Sequence, residues 1–156
     1  LGLISGFFLN KFTKEELDIG KKYFALISIT VLVIIALLNI VPIGDIIIGI
    51  AIGIILSYLI KNVYLYLGIS ALVSILSNKN IIFLAGFIFV FGLSYAALKH
   101  KEITKKFLLK SLIFFFIPFL FLLIDIFSGY YTLMSGISIG GLIIPIIRLA
   151  TSSLKS

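Results

Sequence analysis

The sequence predicts an all-α fold, a polytopic transmembrane helix bundle of about six spans with both termini cytoplasmic. Three observations predict it. Hydrophobic residues fill 62% of the 156 positions and charged residues only 12%, against about 25% charged in a soluble domain. The apolar residues come in runs near the length of a membrane-crossing helix, separated by short polar breaks. The 13 basic residues fall mostly in alternate breaks. With a mean hydropathy of +1.30, the chain carries more apolar surface than one water-excluded core can hide. The same composition excludes intrinsic disorder, which needs low hydrophobicity and high charge.

Crossing about 30 Å of hydrocarbon takes roughly 20 helical residues, with about 17–25 tolerated. Leu1 to Leu9 is apolar but too short to cross. It is expected to lie on the membrane or to end an upstream helix, because the chain opens on Leu1 rather than Met. It lacks the basic leader of a signal peptide. Thr13-Lys14-Glu15-Glu16 has the spacing of a capping box and predicts a short surface helix that feeds the first span through Lys21-Lys22. The first span runs from Tyr23 to Val41, with Ser28, Thr30 and Asn39 as its polar members. Pro42 ends it, since proline donates no amide and disfavours helix just before it.

The second span covers Asp45 to Ile60 and stops at Lys61-Asn62. The third, Val63 to Ser77, is short and closes at Asn78-Lys79-Asn80. The fourth covers Ile81 to Leu98, and the polar stretch from Lys99 to Lys106 follows. The fifth, Phe107 to Phe127, is the most hydrophobic, and the sixth runs from about Tyr130 to Ile147 before Arg148. Residues 1–22 then form an N-terminal cytoplasmic or interfacial segment, 23–148 the six-span bundle and 149–156 a cytoplasmic tail.

The charges give an independent reason for this reading. With the N-terminus inside, Lys79 is the one basic residue outside, and the other twelve of the 13 face the cytoplasm. Lys and Arg in short loops set orientation, and removing one span scatters them over both sides. Tyr23, Tyr64 and Tyr95 fall near inner boundaries, and Tyr130 and Tyr131 near the outer one, as in an interfacial aromatic belt. The expected localisation is therefore the cell membrane, multi-pass.

The net charge of +7 is read as this topology rather than as a nucleic-acid surface. The absence of cysteine excludes disulfides, thiolate nucleophiles and cysteine-held metal sites. His100 is the single histidine and sits in a basic loop, so neither a metal site nor a cofactor is expected. No Gly-x-Ser-x-Gly elbow, phosphate loop or His-Glu-x-x-His occurs, and the sequence favours a protein that is not an enzyme. Membrane lipids are the expected partners, with a second copy or other membrane subunits beside them.

Two acids lie among the apolar runs, Asp45 and Asp125. Ionisable residues in membrane segments mark functional candidates. From Phe107 to Asp125 is about 27 Å, and from Tyr23 to Pro42 about 28 Å, at a rise of 1.5 Å per residue. Both carboxylates therefore come out near the outer face as candidates for an ion or proton site. Asp45 also stands where an aspartate caps a helix, whereas Asp125 lies within its run. Gly49 and Gly53, with Ser57, and Gly136 and Gly140 place small residues on single helix faces, suited to close helix packing. Gly86 and Gly92, six apart, share no such face.

A weak internal repeat joins these features. Lys21-Lys22 recurs at Lys105-Lys106, Asp45 at Asp125, and the glycine pair at Gly136 and Gly140, at offsets of 84, 80 and 87 residues. A duplication of this kind puts equivalent helices in the same direction, as in some transporters. Pro42-Ile43-Gly44-Asp45 resembles in part the Gly-x-Gly-Asp motif of intramembrane aspartyl proteases. Pro42 replaces the first glycine and no companion motif matches, so the family is not assigned. The function expected is a small integral membrane transport protein, or a transport-complex subunit, moving an ion or small solute. The alternatives are a structural or assembly subunit that docks on other membrane proteins, and an aspartyl protease-like or lipid-processing enzyme.

Overall fold

The computed structural model describes residues 1–9, 14–40, 45–77, 81–99, 101, 103–123 and 130–153. Among these residues the fold is all-helical. The helices are α1 (Gly2–Leu9), α2 (Lys14–Leu38), α3 (Ile46–Leu59), α4 (Val63–Leu76), α5 (Ile81–Leu98), α6 (Lys105–Phe116) and α7 (Tyr131–Ser153), with a 3-10 segment Ile117–Leu123 after α6. Three stretches are long and apolar enough to cross a membrane: Gly20–Leu38, Ile81–Leu98 and Tyr131–Ser152. Helices α3 and α4 have 14 residues each, about 21 Å at 1.5 Å per residue, and fall short of that length.

Local structure departs from the sequence reading in three places. No separate surface helix precedes the first span: α2 is one continuous helix of 25 residues from Lys14, with no helix-breaking proline in between to stop it. Thr13 lies outside the described residues. The run from Phe107 is not one α-helix, because α6 ends at Phe116 and a 3-10 turn follows. Pro118 falls in that turn and is buried. A proline has no N–H for the i→i−4 ladder and crowds the carbonyl four residues back, so the tighter winding takes over. Helix α7 in contrast continues through Pro145 and past Arg148 to Ser153, beyond the end of the sixth run at Ile147.

The directions of packed helices follow from which residues meet. Gly49 and Gly53 of α3 meet Gly136 and Gly141 of α7 in the same order, so these two helices are parallel. Tyr66 lies against Gly141 and Ser70 against Ser138, so α4 runs opposite to α7. Gly68 packs on Phe115 and Pro118, and α6 runs beside α4 in the same sense. The Tyr64 ring at the start of α4 packs on Phe91 and Tyr95 late in α5, with centroids 6.0 and 6.1 Å apart. Those two helices are therefore antiparallel.

Helix α1 lies along the second half of α5, with Gly2 on Phe89 and Gly6 on Leu93 and Ala96. It is thus packed into the bundle rather than laid across its surface. The core joins Ala25, Leu32 and Ile35 of α2, Tyr66 and Leu67 of α4, Phe91 of α5 and Leu142 of α7. Outward faces stay apolar: Ile82 is 86% exposed and Ile47 68%, a surface that suits lipid and not water.

Candidate functional site: adjoining apolar and basic cavities between α4, α5 and α6

Caps set where α4 and α6 begin. Asn62 precedes α4, and its Oδ1 accepts from the Tyr64 N–H at 3.0 Å. Thr104 precedes α6, and its Oγ1 accepts from the Phe107 N–H at 3.2 Å. Both side chains satisfy donors that a helix start leaves open. The two parallel helices thereby begin at the same end of the bundle.

A cavity of about 340 Å³ lies between α4, α5 and α6. Ala71, Ser74 and Ile75 of α4 form one wall, and Leu84, Ala85 and Ile88 of α5 another. Ser111 and Phe115 of α6 and the start of α1 close it. The lining is almost wholly aliphatic and aromatic, and rim residues Ile81, Phe89 and Phe116 are exposed. Three lining residues carry hydroxyls, Tyr64, Ser74 and Ser111. Tyr64 Oη and Ser111 Oγ are buried and lack a hydrogen-bond partner among the described residues, in residues only 6% and 1% exposed. A buried hydroxyl left unpaired costs about 1–3 kcal/mol.

A basic cavity lies at the helix starts. It measures about 410 Å³ and is lined by Lys61 and Asn62 ahead of α4, by Tyr64 and Tyr95, and by Lys110 and Phe114 of α6. Tyr64 lines both cavities. Lys110 Nζ sits 5.8 Å from the Phe114 ring centroid, a cation–π contact that holds the ammonium at the cavity edge. Two lysines and two helix N-termini give this end a positive potential.

Asn39 Oδ1 is likewise buried without a partner among the described residues, while several other buried hydroxyls pair within the bundle. Ser28 Oγ donates to Ser94 Oγ at 2.9 Å, joining α2 to α5. Ser138 Oγ donates to the Tyr66 carbonyl at 3.2 Å and pairs with Ser70 Oγ, joining α7 to α4. Ser135 Oγ donates to the Asn39 carbonyl, bringing the end of α2 to the beginning of α7. These hydroxyls fasten helices and line no cavity described above.

The residues marked in the sequence are placed as follows. Asp45 is exposed and holds the N-cap position of α3, but its side chain makes no capping hydrogen bond. The expected capping role is not what the geometry shows. Asp125 and His100 lie outside the described residues, as do Pro42, Ile43 and Gly44. Gly49, Gly53, Gly136 and Gly140 come together in one seam. A Cβ on Gly49 would sit 2.9 Å from Gly136 Cα, and one on Gly136 would sit 2.8 Å from Gly49 Cα. Gly92 receives α1, whereas a Cβ on Gly86 would meet nothing within 4 Å.

The sequence does not single out the cavity residues, because Tyr64 reads as an interfacial aromatic and Ser111 as an isolated hydroxyl. The signal available is Lys110-Ser111, a charge and a hydroxyl one turn inside the most apolar run. Among the described residues no group of three His, Cys, Asp or Glu is placed to hold a metal ion. Comparison with protein families, with curated proteins and with solved structures finds no match to this chain.

Proposed function

We propose that this chain is a small integral membrane transport protein, or a subunit of a transport complex, whose solute is an amphipathic molecule drawn from the bilayer. The observation that carries the reading is the apolar cavity between α4, α5 and α6, whose lining includes the hydroxyl-bearing residues Tyr64, Ser74 and Ser111. A largely apolar pocket with a few placed polar groups is the usual form of a small-molecule site. Of the two acids expected for an ion or proton site, Asp45 is exposed and Asp125 lies outside the described residues.

The proposed topology has six passes, formed by α2, α3, α4, α5, α6 with its 3-10 extension, and α7, in the cell membrane with both termini cytoplasmic. The pairwise directions support it, since α3 and α7 run against α4, and α4 runs against α5. The short α3 and α4 meet the bilayer by local thinning and by lysine snorkelling at Lys61. A docking or assembly subunit is the second reading. It is favoured by the α3–α7 seam, where backbone lies on backbone and no space remains.

The test is lipid translocation. Full-length protein is reconstituted in vesicles carrying a fluorescent short-chain phospholipid, and dithionite reports the probe reaching the outer leaflet. Wild-type vesicles should lose nearly all fluorescence, and Ala71→Phe, which fills the cavity, should return the loss to the roughly half seen in empty vesicles. Wild-type vesicles indistinguishable from empty ones would sink the transport reading and leave docking ahead.

A further inference from the structure

We propose that the basic cavity at the starts of α4 and α6 binds the phosphate of an anionic phospholipid whose chain occupies the adjoining apolar cavity. This rests on the function proposed above and names its ligand class. Three observations meet here. The two cavities lie along the same parallel helix pair and share Tyr64 as a wall. Polarity changes between them in the sense of a lipid, with Lys61 and Lys110 at one end and Leu84, Ile88 and Phe115 at the other. Tyr64 and Ser111 are among the residues lining the apolar cavity, and their hydroxyl oxygens are buried without a partner among the described residues. From Tyr64 to Ser74 is about 15 Å along α4, a length that an acyl or isoprenoid chain covers.

The chemistry of the head follows from the donors. A phosphate diester carries one negative charge, and its oxygens accept from two ammonium groups at once. Lys61 approaches from the connection ahead of α4, and Lys110 from the second turn of α6. The N-terminal ends of both helices add positive potential on the same side. A rotation of the Tyr64 and Ser111 side chains toward the cavity lets their hydroxyls donate to ester or glycerol oxygens just below the phosphate. This pairing satisfies both hydroxyls, which the bundle leaves without partners. A zwitterionic lipid brings its own ammonium to two lysines and is disfavoured by like charge.

Photolabelling tests the assignment. Full-length protein in vesicles receives trace phosphatidylglycerol or phosphatidylcholine bearing a diazirine on the acyl chain, and adducts are mapped by peptide mass spectrometry. Phosphatidylglycerol should label peptides holding Ala71–Ile75 and Leu112–Phe116 on the order of tenfold more than phosphatidylcholine, as two lysines at an anionic head provide. Lys61→Gln with Lys110→Gln should abolish the preference while the far-UV circular dichroism stays unchanged.

Equal labelling by the two lipids overturns the headgroup assignment and leaves the apolar pocket standing. Absence of labelling in both peptides overturns the pocket reading beneath it. Millimolar inorganic phosphate that displaces the lipid's head and its preference together shows a site for free phosphate, which also overturns the proposal.

Discussion

At the scale of single residues, unpaired polar atoms and charges separate the two lives this chain can lead. Tyr64 Oη is buried with no hydrogen-bond partner among the described residues, and removing the oxygen removes its desolvation cost. Tyr64→Phe should raise thermal stability of delipidated protein in detergent, by about 1 kcal/mol or more, and weaken lipid retention. Far-UV circular dichroism follows the melt; a lower melting temperature would show that the hydroxyl already has a partner. Ser138→Ala should act in the opposite direction, since its hydroxyl ties α7 to α4. Such bonds in membrane bundles average about 0.6 kcal/mol. The two acids are tested by neutral isosteres. Asp45→Asn should leave both flux and stability unchanged, because Asp45 is exposed and makes no cap bond. Asp125→Asn should abolish flux only if a carboxylate serves the path, and unchanged flux in both variants removes the acid site.

At the scale of helices, glycine identity decides packing. Gly53 faces Ile137 and Gly141 of α7, with a Cβ there falling 2.8 Å from the Gly141 nitrogen. Gly53→Val must push the α3 and α7 backbones apart, and overpacking of this kind costs about 1–3 kcal/mol. Gly86→Ala meets nothing within 4 Å and should be neutral, or stabilising by up to about 1 kcal/mol through helix propensity. Melting temperatures of the pair, measured side by side, separate packing from propensity. Much of this level was legible in the sequence: the runs at Ile81–Leu98 and Val63–Ser77 match α5 and α4 to within a residue, because polar breaks bound them. The small-residue stripes were visible too. Which helix each would meet was not, since a stripe specifies a face and not its partner. The 3-10 turn after Phe116 was hidden because hydropathy weighs Pro118 as one weakly polar residue and ignores its missing donor. The pocket was hidden for a related reason: a cavity is a gap between three helices, and no single one of them carries its pattern.

At the scale of the whole molecule, the alternation of helix directions makes a labelling prediction. Single cysteines at Ile43 and Gly129 should react with a membrane-impermeant maleimide in intact cells, and those at Lys61 and Lys101 only after permeabilisation. The chain has no native cysteine, so each variant reports one site. Reaction at position 101 in intact cells would invert the proposed topology. The basic cavity makes its own demand on this arrangement, since Lys61 and Lys110 have to face the same leaflet for one headgroup to reach both. Both line one cavity and so share a leaflet in either orientation; the cysteine at Lys61 reports which leaflet that is.

The parallel seam between α3 and α7 also has a consequence for the order of synthesis. Gly49 and its partner Gly136 are 87 residues apart, and at about 5–20 residues per second a ribosome takes roughly 4–17 s to make the second after the first. Throughout that interval the glycine face of α3 is without its mate. Another nascent copy offers the same surface, and the contacts are reciprocal: Gly49 meets the Leu133 carbonyl as Gly136 meets the Ile46 carbonyl. Two α3 helices can therefore imitate the pair that α3 and α7 form. Chains stalled before α7 are expected to pair through α3, and size-exclusion chromatography of a chain truncated ahead of α7 would show the dimer.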